Sequence, residues 1–141
     1  MASINTYLNF NGNTESVFNF YKSVLGGEFI SLMRFKDSPG CENMPAAEQD
    51  KIMHIALPFG TSFLMGTDIP ESMDKVVNGT SMSISIDTDS EEEAKRIFDR
   101  LSEGGKVQMP LEKMFWGALY GMFTDKFGIQ WMVNYNFEPC V

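Results

Sequence analysis

The chain has 141 residues and a formal net charge of −8, a length that fits one domain with a sizeable core of its own. The acidic balance argues against nucleic acid and anionic membranes as partners, because both are bound through Lys and Arg. No apolar run is long enough to span a bilayer, and residues 1–5 lack the features of a signal peptide, so a cytoplasmic protein is expected.

The two cysteines, Cys41 and Cys140, have no second Cys or His at metal-ligand spacing. The sequence therefore predicts free thiols in a reducing compartment rather than a disulfide or a redox pair.

The first half of the chain predicts a strand, a helix and three further strands. The helix runs from Thr14 to Leu25, with an acidic first turn that suits the helix dipole and a glycine pair just after its end. Residues 37–50 are polar and rich in turn formers, which predicts a long loop that acts as a lid or is disordered. The strands are expected at residues 3–10, 28–36, 51–58 and 61–67.

The second half repeats this order after a linker at residues 68–79. Its helix runs from Ser90 to Ser102, and its strands are expected at residues 80–87, 106–110, 117–124 and 129–136. A Phe-Gly turn recurs at Phe59 and Phe127, where each half closes with a hairpin. We therefore predict an α+β fold in one domain, residues 1–141. It consists of two βαβββ half-repeats, residues 1–67 and 80–137, whose open mixed sheets carry helices on one side.

Strand alternation assigns side chains to the two faces of each sheet. A type I turn with a glycine bulge at 125–128 pairs Met122 with Met132 and Tyr120 with Asn134. The same register in the first half places His54 opposite Leu64. The face away from the helices has few charges, which favours a ligand cavity over a solvated surface, with a buried dimer face as the alternative. The candidate ligand-binding residues are Tyr7, Asn9, His54, Ser83, Trp116, Tyr120, Met122, Gln130, Met132 and Asn134.

His54 is the only histidine of the chain and the only side chain expected to titrate near neutral pH in this cavity. It is the candidate catalytic residue, as a general base. The competing interpretation is a histidine that is hydrogen-bonded within a mixed-polarity wall, because no acid is placed to orient the ring.

Several segments together resemble the PhnB-like branch of the vicinal-oxygen-chelate superfamily, which includes glyoxalases, bleomycin resistance proteins and dioxygenases. The hairpin from Phe115-Trp116-Gly117 to Phe127-Gly128 carries most of the resemblance. Residues 53–57, 64–65 and 7–12 match the first-half hairpin and the opening strand. The resemblance covers nearly the whole chain, and it implies the paired βαβββ fold and a homodimer.

The resemblance also implies four positions at which enzymes of the superfamily hold a divalent metal. In this chain they are occupied by Asn5, Leu64 (or Met65, one residue along), Ser81 and Met132. Divalent metals of this kind need imidazole or carboxylate donors, so we expect no metal and no cofactor.

The sequence therefore predicts a metal-free protein that binds a small amphipathic molecule in a sheet cavity. Two alternatives remain open, a divalent-metal-dependent enzyme of glyoxalase or dioxygenase type and a metal-free lyase or isomerase that uses His54. Two names used in the family, ubiquinone methyltransferase and DNA-binding protein, fit poorly. The chain has no Gly-rich loop for a nucleotide-like methyl donor, and its charge is wrong for DNA.

Overall fold

The computed structural model describes residues 2–137, so the prediction of a free thiol at Cys140 lies outside the described residues. Cys41 is a partly exposed free thiol. The chain separates into two compact units, one ending at Val77 and the other starting at Asn78. Within residues 2–137, no helix is long and apolar enough to cross a bilayer.

The first unit consists of β1 (Thr6–Phe10), α1 (Thr14–Leu25), β2 (Ser31–Arg34), a short 3-10 helix (Phe35–Asp37), α2 (Ala46–Gln49), β3 (Ile52–Phe59) and β4 (Ser62–Asp68). The strands form one four-stranded mixed sheet in the order β1-β4-β3-β2, in which β1 and β4 are parallel and the other pairs are antiparallel. The long helix α1 packs on β3 and β4.

The second unit consists of β5 (Ile84–Asp87), α3 (Glu91–Leu101), β6 (Lys106–Lys113), β7 (Ala118–Thr124) and β8 (Gln130–Asn136). It repeats the arrangement of the first, with strand order β5-β8-β7-β6 and a parallel β5–β8 pair. Its helix packs on β7 and β8. The predicted α+β fold of two βαβββ modules is confirmed.

Each helix buries one apolar stripe against its own sheet. In α1 the stripe includes Val17, Phe18, Tyr21 and Val24, and in α3 it consists of Ala94, Ile97, Phe98 and Leu101. This spacing places the side chains on one side of a helix. Burial of each large apolar side chain stabilises the fold by about 1.5–3 kcal/mol. The helices therefore cover one face of each sheet.

Two buried carboxylates connect loops to the sheets. Asp68, at the end of β4, accepts hydrogen bonds from the Thr14 backbone N (3.0 Å), the Thr14 hydroxyl (2.7 Å) and the Ile52 backbone N (2.8 Å). Asp125 accepts from the backbone N of Phe127 and from the indole N of Trp131, each at 2.8 Å. Both side chains are nearly inaccessible, so their hydrogen bonds replace the water that burial removes.

Several strands start later than predicted. β1 starts at Thr6 and β5 at Ile84, so Asn5, Ser81 and Ser83 precede their strands and are exposed. Met82, within the predicted strand at residues 80–87, is 82% exposed. The residues before β1 and β5 include serine and asparagine, which lack the branched or aromatic side chains that favour strands.

The second-half hairpin has the predicted register, with Met122 opposite Met132 and Tyr120 opposite Asn134. The first-half register is wrong. Leu57 lies opposite Leu64 and Phe59 opposite Ser62, because the connection is a two-residue Gly60-Thr61 turn instead of a longer bulged one. The shift is three residues, an odd number, so it moves side chains of β4 to the other face.

Leu64 therefore lies on the helix side, where it is 6% exposed, and Met65 points away from the helix. His54 stays on the face opposite α1, because its neighbour Ile55 is paired with Gly66, which faces Phe18 of that helix. Extension of the β3–β4 register by one residue places His54 opposite Thr67.

Candidate functional site

The face of the first sheet that points away from α1 brings predicted site residues together. Strand pairing aligns the side chains in two lines across the strands. One line includes Tyr7 and Met65, and the other includes Thr67 and His54. None of its side chains carries a formal charge at neutral pH if His54 is neutral. We call it the first sheet face; it comprises Tyr7, Asn9, Ser31, Met33, His54, Ala56, Met65 and Thr67.

Tyr7 and His54 form the polar centre of this face. The Tyr7 hydroxyl lies 3.2 Å from Nδ1 of His54, and the two rings stack with centroids 5.8 Å apart and planes inclined by 28°. Tyr7 is 45% exposed and His54 is half-buried. The pair is thus ordered by contact between its own members while one side of it stays accessible.

The environment keeps the Tyr7 hydroxyl protonated. Burial raises the pKa of Tyr7 above its usual value, and a hydrogen bond from the Thr67 side chain acts in the opposite direction. A neutral phenol can donate to Nδ1, or it can accept from Nδ1 if that nitrogen carries the ring proton. The pair therefore permits both neutral tautomers of His54, with Nε2 as a donor in one and as a base in the other.

The corresponding face of the second sheet gathers a different set. Met132 pairs with Met122 and Ser85, and Asn134 pairs with Tyr120 and Asp87. The Tyr120 hydroxyl donates to the sulfur of Met132 at 2.9 Å. We call it the second sheet face; it comprises Ser85, Asp87, Met109, Glu112, Tyr120, Met122, Met132 and Asn134.

The second sheet face carries two carboxylates, whereas few charges were expected on it. Asp87 accepts a hydrogen bond from the Asn134 amide at 3.1 Å, and Glu112 lies opposite Tyr120 on the edge strand.

The remaining predicted site residues lie around this second face. Trp116 is 56% exposed in the turn between β6 and β7, and its ring contacts that of Tyr120 with centroids 6.2 Å apart. The Gln130 side chain donates to the backbone O of Met82 at 2.6 Å. Ser83 is exposed and lies outside any strand. The predicted set thus falls into one cluster in each unit.

Sequence reasoning missed Met33, Met65 and Thr67 in the first cluster. The signal that could have found the β4 pair was the Gly60-Thr61 dipeptide, since two-residue hairpins favour glycine at positive φ. Gly60 has φ +60°. Two-residue pairing across that turn would have placed Met65 and Thr67 beside Tyr7 and His54.

The four superfamily metal positions do not fit a metal in this chain. Asn5 is exposed and its amide is 3.5 Å from the Ser3 hydroxyl, while Leu64 is a buried alkyl group. Met65 and Met132 offer only thioether sulfur, and Ser81 is exposed ahead of β5. Such donors bind borderline divalent ions poorly. Across residues 2–137, no three His, Cys, Asp or Glu side chains group to hold a metal.

Comparison with known proteins places the chain in a family. Residues 3–133 match the model of the glyoxalase/bleomycin resistance protein/dioxygenase superfamily. The chain is 32% identical to Protein YjdN of Escherichia coli strain K12, over 93% of each chain.

Two solved structures share both sequence and fold with it. Protein PA1353 from Pseudomonas aeruginosa is 44% identical, with a TM-score of 0.85 over 96% of this chain and 98% of that one. A PhnB protein from Bacillus cereus, described as a candidate 3-demethylubiquinone-9 3-methyltransferase, is 26% identical, with a TM-score of 0.77 over 95% and 99% of the two chains. The protein therefore belongs to the glyoxalase/bleomycin resistance protein/dioxygenase superfamily, and it is similar in sequence and fold to a PhnB protein.

Proposed function

We propose that the protein binds a small amphipathic molecule on the first sheet face without a metal. The observation that carries the proposal is the Tyr7–His54 pair, hydrogen-bonded at 3.2 Å on an accessible face whose other side chains carry no formal charge. Binding sites for small molecules combine apolar walls with a few convergent polar groups. Here Met33 and Met65 supply adaptable apolar surface, and the Tyr7–His54 pair supplies the polar anchor.

The pair suits a ligand with a hydrogen-bond acceptor next to an apolar body. If the Tyr7 hydroxyl donates to Nδ1, the neutral ring carries its proton on Nε2, which becomes a donor for a carbonyl or ether oxygen. The Tyr7 ring, 45% exposed, offers a face for stacking. An acceptor and an adjacent planar or apolar group would therefore be recognised together.

A second candidate function is a metal-free lyase or isomerase reaction with His54 as base. The same hydrogen bond favours it, since in the other tautomer Nδ1–H donates to the Tyr7 oxygen and leaves Nε2 free to take a proton. Tyr7 would then orient the ring, in place of a carboxylate.

The other reactions suggested by relatives have less support. The donor set argues against a metal-dependent glyoxalase or dioxygenase. For the methyltransferase activity named for the Bacillus cereus protein, the connection from β1 to α1 is only Asn11-Gly12-Asn13, and the Asn11 side chain is held by Val76 through two hydrogen bonds. A nucleotide-like methyl donor would need a glycine-rich loop there.

The single histidine makes the proposal directly testable by nitrogen NMR of histidine-labelled protein. We expect the neutral ring of His54 to carry its proton on Nε2, and a Tyr7→Phe variant to lose the shift caused by the Nδ1 hydrogen bond. A proton on Nδ1 in the wild-type protein would contradict the binding proposal and favour the base.

Ligand binding should follow the same residues. In a thermal-shift screen of aromatic and aliphatic carbonyl compounds, hits should bind His54→Ala about tenfold more weakly, the loss expected for one anchoring hydrogen bond. They should also bind Tyr7→Phe more weakly, because the Tyr7 hydroxyl no longer holds the ring proton on Nε2. The matched control is Tyr135→Phe, in the second unit. Compounds that stabilise wild type, Tyr7→Phe and His54→Ala equally would place binding elsewhere.

We further propose that the functional form is a cytoplasmic homodimer. Support comes from exposed apolar side chains of the first unit outside the first sheet face, Ile30, Leu32 and Phe63, and from the two edge strands of each sheet. Such surface is usually covered by a partner.

A further inference from the structure

A cavity lies in the first unit, beyond the ends of β1 and β4, and shares no residue with the first sheet face. Its volume is about 590 Å³, within the range of small-molecule sites. Most of its wall comes from the segment after β4. The lining residues are Asn11, Lys51, Ile69, Pro70, Glu71, Met73 and Lys75.

The wall of this cavity is held by hydrogen bonds on several sides. The Asn11 amide donates to the Val76 backbone O (3.0 Å), and its oxygen accepts from the Val76 backbone N (2.8 Å). The Ile69 N donates to the Phe10 O at 2.8 Å. The Glu71 backbone N donates to the buried carboxylate of Glu48 at 2.7 Å. The cavity is therefore built by specific contacts rather than left between unconnected loops.

Two lysines that line the cavity, Lys51 and Lys75, form no ion pair with a carboxylate of the described residues. Within residues 2–137, the ion pairs with carboxylates use Lys22, Arg34, Lys36 and Lys95, and neither Lys51 nor Lys75 has a carboxylate within 4 Å. The chain has a net charge of −8, but these two unpaired ammonium groups make the cavity locally more positive than the protein as a whole. They attract an anion.

Gly12 determines where the Lys51 side chain lies. A Cβ on Gly12 would be 3.3 Å from Lys51 Nζ and 3.4 Å from Cε, and Gly12 has φ +106°. Only glycine adopts this backbone conformation without strain. The absence of a side chain at Gly12 thus leaves room for the Lys51 side chain, which is part of the cavity lining.

We infer that this cavity binds a small organic carboxylate with a short apolar chain. Lys51, Lys75 and Glu71 together contribute a formal charge of +1, which matches one carboxylate better than a phosphate dianion. Lysine ammonium groups bind an anion as point charges, without the paired geometry of arginine. Ile69, Pro70 and Met73 offer apolar surface to the chain of such a ligand.

The test is an amide NMR titration of the full chain with sodium hexanoate, followed by acetate and hexylamine. We expect hexanoate to shift the amide signals of residues 11–12, 51 and 69–76 and to bind more tightly than acetate. Hexylamine should leave these signals unchanged. In the double variant Lys51→Gln/Lys75→Gln, hexanoate affinity should fall about tenfold or more, as expected when two partly exposed charges are removed.

The matched control is Lys95→Gln/Lys106→Gln, which removes the same charge from the second unit and should bind hexanoate like wild type. A Met73→Glu variant keeps both lysines and adds an acid at the apolar wall, and it should also weaken binding. Equal affinity of hexanoate and hexylamine, equal loss in the control double variant, or no shift at these residues would each overturn the inference. Because the first sheet face is untouched by all of these changes, failure here leaves the Tyr7–His54 proposal unaffected.

Discussion

Asp68 accepts three hydrogen bonds through a carboxylate that is 2% exposed, and it thereby joins the start of α1 to β3. An Asp68→Asn variant keeps the shape but replaces one acceptor oxygen with an NH₂ group. In either amide orientation, at least one backbone N–H, from Thr14 or Ile52, then faces another donor. We expect the free energy of unfolding to fall by about 2–3 kcal/mol, as for a buried donor left without an acceptor.

Urea denaturation monitored by circular dichroism measures this loss. Asp74→Asn, at an exposed position in the segment after β4, is the matched control and should change stability by less than about 0.5 kcal/mol. If the two variants were equally stable, the Asp68 hydrogen bonds would contribute little.

Arg34 connects three elements of the first unit. Its guanidinium donates to both carboxylate oxygens of Glu15 in α1, at 3.1 and 2.6 Å, and to the Asp50 backbone O before β3, at 2.7 Å. The hydrogen bond from Arg34 lowers the pKa of Glu15 below its usual value of 4.5. The folded protein therefore holds the Glu15 proton more weakly than the unfolded chain does.

A lowered pKa in the folded state gives stability that is fully present above the unfolded value and lost as pH falls through the folded one. We expect Glu15→Gln to reduce the free energy of unfolding by up to about 1 kcal/mol at pH 7, since the pair is partly exposed. The difference from wild type should shrink as pH falls below about 4.5, which denaturation curves from pH 7 to pH 3 would show. Glu103→Gln, exposed after α3, is the control; a difference that persists unchanged at pH 3 would contradict the expectation.

Elements with a strong periodic signal were predictable from the sequence. The helix from Thr14 to Leu25 has the predicted bounds, and α3 lies within the predicted Ser90–Ser102 segment, with Ser90 as the N-cap residue. In both helices, the polar first turn and the apolar stripe that packs on the sheet indicate the same helical segment. Local sequence preference and tertiary packing therefore favour the same structure.

The candidate site was less predictable, because it depends on pairing between strands. In the second half, Asp125 caps its own turn through the Phe127 and Ile129 backbone N, and this local interaction gave the right register. In the first half no such side chain marks the turn, and analogy with the second half gave the wrong one. Burial of Asp68 was also invisible, since its donors come from distant parts of the chain.

At the scale of the whole molecule, the proposed homodimer predicts a definite mass. Ile30, Leu32 and Phe63, which lie outside the first sheet face, are each more than a third exposed in the single chain. A partner chain that covers such surface would contribute the hydrophobic free energy of association. Light scattering at micromolar concentration should therefore give about twice the 15.9 kDa of one chain. A mass of one chain under these conditions would refute the dimer.

The two hairpins also bear on the ancestry of the two halves. On β4 the side chains that point away from the helix, such as Met65 and Thr67, have odd numbers, whereas on β8 those of Met132 and Asn134 have even numbers. The Phe-Gly motifs of the two hairpins are 68 positions apart, an even offset. If both halves descend from one duplicated segment, an odd number of residues was inserted or deleted between motif and strand. An ungapped alignment through the motif would therefore equate the helix-facing side of β4 with the side of β8 that faces away from its helix.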